Sequence, residues 1–315
     1  MTRRLKVGLM MPQITGMRGR GTHPWSEVRK MAELAEDVGF DSIWVVDHFL
    51  YMLDGEEKAR GAWEGWSLLS ALAACTRSAE LGTLVLGMGF RSPALLAKMA
   101  ETVDDISGGR LILGIGAGYH DHEYRAFGFP TDHKFARFRE GIEIVSTLLK
   151  QGAIDFDGKY YQARECELRP RGPRPEGPPI LVGTIGPQTM RLTARYADMW
   201  NIYYDDTKNQ PSRLAPFREM VDEACRDVGR DPATMERTAT MLVAGPDVDP
   251  WWSRLPSGRA DAIVPFTGGP QALAEELEAY AREGISHVQI SLDPTTPETI
   301  EGLAGAFEHL ERDAP

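Results

Sequence analysis

From residue 5 onward, short apolar runs alternate with longer stretches whose apolar residues recur every three to four positions. Leu5–Met11 is the first run. Pro24–Val38 follows with Val28, Met31, Ala32, Ala35 and Val38 at helical spacing, and Gly39 stands where such a helix would end. Asp41–Val46 is a second buried strand, stopping at Asp47-His48, and Trp63–Thr76 is a second helix. Leu81–Gly87 is apolar and too short for a helix, so it reads as one continuous strand. Pro93 then opens a helix, as proline does in a first turn, with Leu95, Leu96, Met99, Ala100, Val103 and Ile106 as its apolar positions. Gly108-Gly109 stops it, and Leu111–Ile115 is the next strand. Gly116-Ala117-Gly118 follows, where missing side chains let the backbone approach a neighbour closely.

Phe135–Leu149 predicts the helix after the fourth strand. The rhythm breaks at 151–177, where "IDFDGKYYQARECELRP" alternates like a hairpin and "RGPRPEGPP" is a stiff connector. We read this as an insertion within a single domain spanning 1–315. The pattern resumes with Ile180–Val182, Gln188–Tyr196, Asp198–Ile202, Pro216–Val228, Arg237–Ala244 and Gln271–Arg282, and Pro297–Leu310 is the last helix. "EDVGFDSIWVVD" (36–47) and "REGISHVQISLD" (282–293) share a helix end, a glycine, a strand and a terminal aspartate. Eight strand–helix units predict a closed (β/α)8 TIM barrel, with helices outside a parallel sheet. The loops at 51–63 and 245–268 are long enough to act as lids.

Composition narrows the partners. A chain that is 42% hydrophobic and 26% charged forms a globular core, and a net charge of -11 argues against nucleic acid or an anionic membrane. No stretch reaches transmembrane length. Cys75, Cys166 and Cys225 have neither metal-ligand spacing nor a disulfide pattern, which points to a reducing compartment, the cytoplasm.

Several clusters offer chemistry. Asp47-His48 follows the second strand directly, at the end where barrel enzymes keep their sites; the histidine can carry a proton and a neighbouring carboxylate can orient it. The alternative is a histidine satisfied by backbone. Gly114-Ile115-Gly116-Ala117-Gly118 is GxGxG, not GxGxxG, with no clean helix after it, so a dinucleotide loop is a weak reading. His120, His122 and Glu123 suit zinc in a metal-dependent barrel hydrolase, but no further histidine cluster supplies other ligands; surface histidines are the plainer alternative. Gly183-Thr184-Ile185-Gly186-Pro187 leads into a helix whose N–H groups can bind an anion, with Arg91 and Arg191 as charge partners, or it is a simple connector. Trp63, Trp66, Trp200, Trp251 and Trp252 read as core or rim packing.

Residues 81–128, "LGTLVLGMGFRSPALLAKMAETVDDISGGRLILGIGAGYHDHEYRAFG", resemble the luciferase-like monooxygenases. "VVDHF" at 45–49, "EGWSLLSALAACT" at 64–76 and "PPILVGTIGPQTMRLTARYADMWN" at 178–201 extend the resemblance in the same order. The whole is most similar to the branch that uses coenzyme F420, a deazaflavin. That resemblance implies the same barrel and a deazaflavin-dependent oxidoreductase moving a hydride to or from a small organic molecule. It implies that Asp47 and His48 contact the cofactor, His48 handling the proton. It implies a bulge with a cis peptide at Leu84–Val85 and Gly87 near the ring. Gly116, Gly118, Tyr119 and His122 then belong to a cofactor-contacting segment. Gly183, Thr184 and Gly186 match a phosphate loop, although "GTIG" departs from the usual paired glycines. The alternative in the same family is an FMN-dependent monooxygenase using oxygen and reduced flavin from a separate reductase. A non-catalytic cofactor-binding protein is the bland alternative. Homodimers are common in the family. The loops at 51–63, 119–133 and 245–268 are expected to choose the substrate.

Overall fold

The apolar runs become strands and the amphipathic stretches become helices, in alternation. The structure is a computed structural model and describes residues 3, 5–16, 21–52, 57–245 and 263–312. Its barrel strands are β1 (Lys6–Met10), β2 (Ser42–Val45), β3 (Glu80–Thr83), β4 (Leu111–Gly116), β5 (Ile180–Gly183), β6 (Met199–Ile202), β7 (Glu236–Ala244) and β8 (His287–Asp293). Each pairs in parallel with the next, and β8 returns to β1, so the sheet closes as expected.

Successive strand residues point to opposite faces. One face is uniformly apolar: Leu9, Ile43, Leu113, Val182, Trp200 and Ile290 are buried in the core that the helices cover. The inward face is mixed. Trp44 lies across the barrel interior because its flanking strands carry glycine there: a Cβ on Gly82 would stand 2.2 Å from its ring, and one on Gly8 2.5 Å from its Nε1. Met10, Ile112, Leu181 and Met199 pack in the same inner cluster. Polar inward residues bond to one another in part, with His287 Nδ1 and Gln289 Nε2 left buried and unpaired. Trp44 Nε1 donates to Ser42 Oγ at 2.7 Å, and Ser42 Oγ lies 2.6 Å from His287 Nε2. Asn201 Nδ2 donates to Thr238 Oγ1 (2.8 Å) and to Gln289 Oε1 (2.9 Å).

Four expectations need correction. The run 81–87 is not one strand: pairing stops at Thr83 and resumes at Leu86–Gly87. The helix α1 (Trp25–Val38) is as expected, as is α2 (Gly65–Cys75), but α3 (Pro93–Ser107) is rotated, burying Leu96, Ala100 and Val103 as expected and not the edges of that face. Leu95 and Ile106 are 55% and 47% exposed, whereas Glu101 and Asp104 are buried. The cause is the connector, whose Arg171 pairs with Glu101 at 2.8 Å and whose Arg174 Nε donates to Asp104 at 3.0 Å. A short helix, α4 (Asp121–Ala126), does follow the glycine turn. The last helix is two, Pro297–Glu301 and Ala304–Arg312, separated at Gly302-Leu303. The hairpin is present as antiparallel strands Ala153–Asp157 and Gln162–Glu167. Among the described residues, no helix is long and apolar enough to cross a membrane.

Candidate active site at the barrel mouth

A cavity of about 670 Å³ opens at the C-terminal ends of the strands. Asp47 and His48 line it after β2, Leu84, Val85 and Gly87 after β3, Gly116, Gly118 and Tyr119 at and after β4, and Gly183 and Thr184 at β5. His122 and Gly186 are not among the lining residues. His122 is in the first turn of α4, with Nδ1 buried and unpaired, and Gly186 lies just beyond the lining as the N-cap of helix α6 (Pro187–Tyr196; α5 is Lys134–Gln151).

The floor is built by the break in the third strand. Thr83 Oγ1 donates to Gly114 O (2.7 Å) and accepts from Gly114 N (2.9 Å), side chain replacing ladder. The glycine is required, since a Cβ there would stand 1.8 Å from Thr83 O. Leu84 and Val85 are joined by a cis peptide. Val85 then stands between two more glycines: a Cβ on Gly116 would come within 2.8 Å of Val85 Cγ2, and one on Gly183 within 3.5 Å of Cγ1. The result is one branched side chain flanked by bare backbone.

The two residues at the end of β2 take different partners. Asp47 does not orient His48. Its carboxylate receives Gly87 N (2.9 Å) and both terminal nitrogens of Arg91 (2.7 and 2.9 Å). Arg91 also reaches Glu64, which caps α2 by accepting from Trp66 N and Ser67 N. Arg91 is therefore committed to two carboxylates, a correction to its expected role at an anion. His48 Nδ1 instead meets Glu123 Oε2 at 2.9 Å, while Glu123 Oε1 accepts Phe49 N (2.6 Å) and Leu50 N (2.8 Å). Burial pushes the Glu123 carboxyl up. The His48 hydrogen bond and charge and the two backbone donors outweigh it, so it titrates below the usual range. Glu123 had been considered only as a metal ligand. The structure places it in the first turn of α4, across the shortened third strand from His48.

Tyr51, Tyr119 and His120 ring the histidine, with centroids 4.6, 6.0 and 5.9 Å from that of His48. His120 Nε2 accepts Met52 N at 3.0 Å, and burial holds the ring below its ordinary pKa. With Glu123 and His120 so engaged, the zinc reading does not assemble: among the described residues no group of three or more His, Cys, Asp or Glu is placed to hold a metal.

On the far side, Gly186 N donates to Thr184 Oγ1 at 3.1 Å, and α6 begins with Pro187. The first N–H groups of a helix have no partner within it, so this end of α6 presents donors. Arg191 is not beside them; its side chain is 66% exposed and lies 3.9 Å from Asp227. Asn201, Tyr203, Tyr204, Asp205 and Asp206 form a wall that sequence reasoning missed. Burial and the neighbouring Asp205 raise the Asp206 pKa. Trp66 and Trp200 are buried but Trp63 is 50% exposed. Trp251, Trp252 and most of the 245–268 loop lie outside the described residues.

A family model described as luciferase-like monooxygenase matches residues 6–249. The chain belongs to that family. It is 34% identical to a 5,10-methylenetetrahydromethanopterin reductase of Archaeoglobus fulgidus, over 85% of this chain and 74% of that one. It is 36% identical to an F420-dependent glucose-6-phosphate dehydrogenase of Kineococcus radiotolerans, over 89% of this chain and 85% of the relative. Among solved structures, an F420-dependent secondary alcohol dehydrogenase in complex with an F420–acetone adduct superposes with a TM-score of 0.78. That likeness, at 20% identity over 98% of this chain and 99% of the other, shows the shared family fold alone.

Proposed function

We propose that this protein is a coenzyme F420-dependent oxidoreductase that moves a hydride between the deazaflavin and a small organic substrate. The observation that carries the reading is the placement of a carboxylate-held histidine, His48, on the wall of a cavity floored by Val85 between Gly116 and Gly183. The site fits the cofactor in three respects. A cradle without Cβ atoms suits a flat ring, about 670 Å³ lies in the range of cofactor sites, and the N-terminus of α6 suits a phosphate. In this reading Leu84, Val85, Gly87 and Gly116 support the ring, with Gly118 and Tyr119 beside it. Gly183, Thr184 and Gly186 hold the tail.

The deazaflavin, when bound, supplies the hydride chemistry. The chain's residues do the rest. Asp47, fixed by Arg91, holds Gly87 N and so the end of the broken strand. His48 exchanges the proton that accompanies hydride transfer, at the nitrogen not engaged by Glu123. Tyr51 and Tyr119 narrow the approach to it.

Fluorescence titration of the cofactor-free protein with F420 and, separately, with FMN tests this. Saturable F420 binding at micromolar concentration, with FMN at least about tenfold weaker, is the expected result. Binding of neither would remove the proposal. Preferential FMN binding would favour the second reading, an oxygen-using flavin monooxygenase, which the matching family model itself supports. The reading includes one domain over 1–315 with a hairpin insertion, a cytoplasmic homodimer, and a separate reductase supplying reduced cofactor. The free Cys75, Cys166 and Cys225 are consistent with that compartment; dimer and reductase rest on family resemblance.

A further inference from the structure

We infer that Glu123 is a positioning residue that sets the tautomer of His48, making its cavity-side nitrogen a proton acceptor at rest. The use of that acceptor in turnover rests on the hydride-transfer reading; the tautomer itself does not. Glu123 is buried, and its two oxygens are divided. Oε1 takes the backbone N–H groups of Phe49 and Leu50, which leaves Oε2 to face His48 Nδ1 at 2.9 Å. An ionised carboxylate only accepts, so Nδ1 must carry the hydrogen. The lone pair of a neutral ring is then on Nε2, which meets no partner among the described residues and belongs to a ring lining the cavity. A proton taken up at Nε2 produces an imidazolium already seated on its counter-charge. The same two backbone bonds tie the loop that carries His48 to α4, so ring orientation and tautomer are set by one side chain.

This division of oxygens makes Glu123→Gln informative. Phe49 and Leu50 N–H still require an acceptor, which keeps the amide oxygen where Oε1 was. The amide nitrogen then faces Nδ1 and donates to it, so the ring hydrogen must move to Nε2 and the cavity loses its acceptor. Long-range 1H–15N NMR of cofactor-free, 15N-histidine-labelled protein reads this directly, with His48→Asn assigning the signals. We expect Nδ1–H in the wild type and Nε2–H in Glu123→Gln. F420 titration should be within about threefold of wild type, with kcat reduced about 100-fold or more and KM little changed. Wild-type protein with the hydrogen on Nε2, or a variant with an unchanged tautomer, overturns the inference. If Glu123→Gln does not fold, the wild-type spectrum alone decides. Should the NMR result hold while F420 fails to bind, the dyad stands and the cofactor reading falls.

Discussion

The barrel keeps a histidine at each end, and the two are built for opposite purposes. His287 opens β8 at the closed end, fully buried, with Ser42 Oγ at 2.6 Å from Nε2 and, among the described residues, no hydrogen bond to a carboxylate. Burial, together with the charge of Lys6, drives its pKa down to about 3, which favours the neutral ring near neutral pH. His48 stands past the end of β2 with a buried carboxylate at Nδ1 and a cavity beyond. A histidine packed among neutral partners is a space-filling hydrogen-bonding group. One given a counter-charge and an open side can gain and lose a proton. In a (β/α)8 barrel these are the stability end and the chemical end.

Replacing each in turn should separate them. His48→Asn should lower turnover by about 10²–10⁴ while cofactor affinity and melting temperature stay near wild type, checked by steady-state kinetics with fluorescence titration. A variant retaining full turnover removes His48 from the chemistry. His287→Ala should cost about 2–4 kcal/mol in urea unfolding through the cavity it leaves, with kcat per folded molecule unchanged. Loss of kcat without loss of stability would erase the contrast. Ser42→Ala strands Trp44 Nε1–H and His287 Nε2 together, and about 1–2 kcal/mol of destabilisation should follow, again without a kinetic effect. A further effect is in pH. The unfolded chain protonates residue 287 as pH falls through about 6.5, the folded chain not until about 3. The unfolded state therefore binds the extra proton in that window, so His287's share of stability is complete above pH 6.5 and drains away as pH drops toward 3. Melting curves between pH 7 and 4 should be steeper for wild type than for His287→Gln.

The outward half of the barrel was legible in the sequence because Leu9, Ile43, Leu113, Val182 and Ile290 must all be apolar to meet the helices. The inward half was not. Ser42, Asn201, Thr238, His287 and Gln289 hydrogen-bond across four strands, and no local pattern announces such partners. At the mouth, His48, Gly116, Gly118 and Gly183 stand out as candidates because strand ends and bare backbone are local signals, and all four line the cavity. The break at Leu84–Val85 came from family resemblance and is present. Glu123 was misread since its partner lies 75 residues earlier, and proximity in sequence favoured Asp47. Arg91 shows the same weakness: a chain reveals that a cation is present, not that Asp47 and Glu64 have already claimed it. Leu95 and Ile106 were placed on a buried face by periodicity, which ignored the arginines of the strap that draws Glu101 and Asp104 inward.

Trp44, lying over Gly8 and Gly82, has a kinetic consequence. It shares one packed cluster with Leu84 and Val85, so the cavity floor rests on a filled barrel interior. On the proposed reading, a coenzyme lying on that floor enters before a substrate bound above it and departs after that substrate has gone.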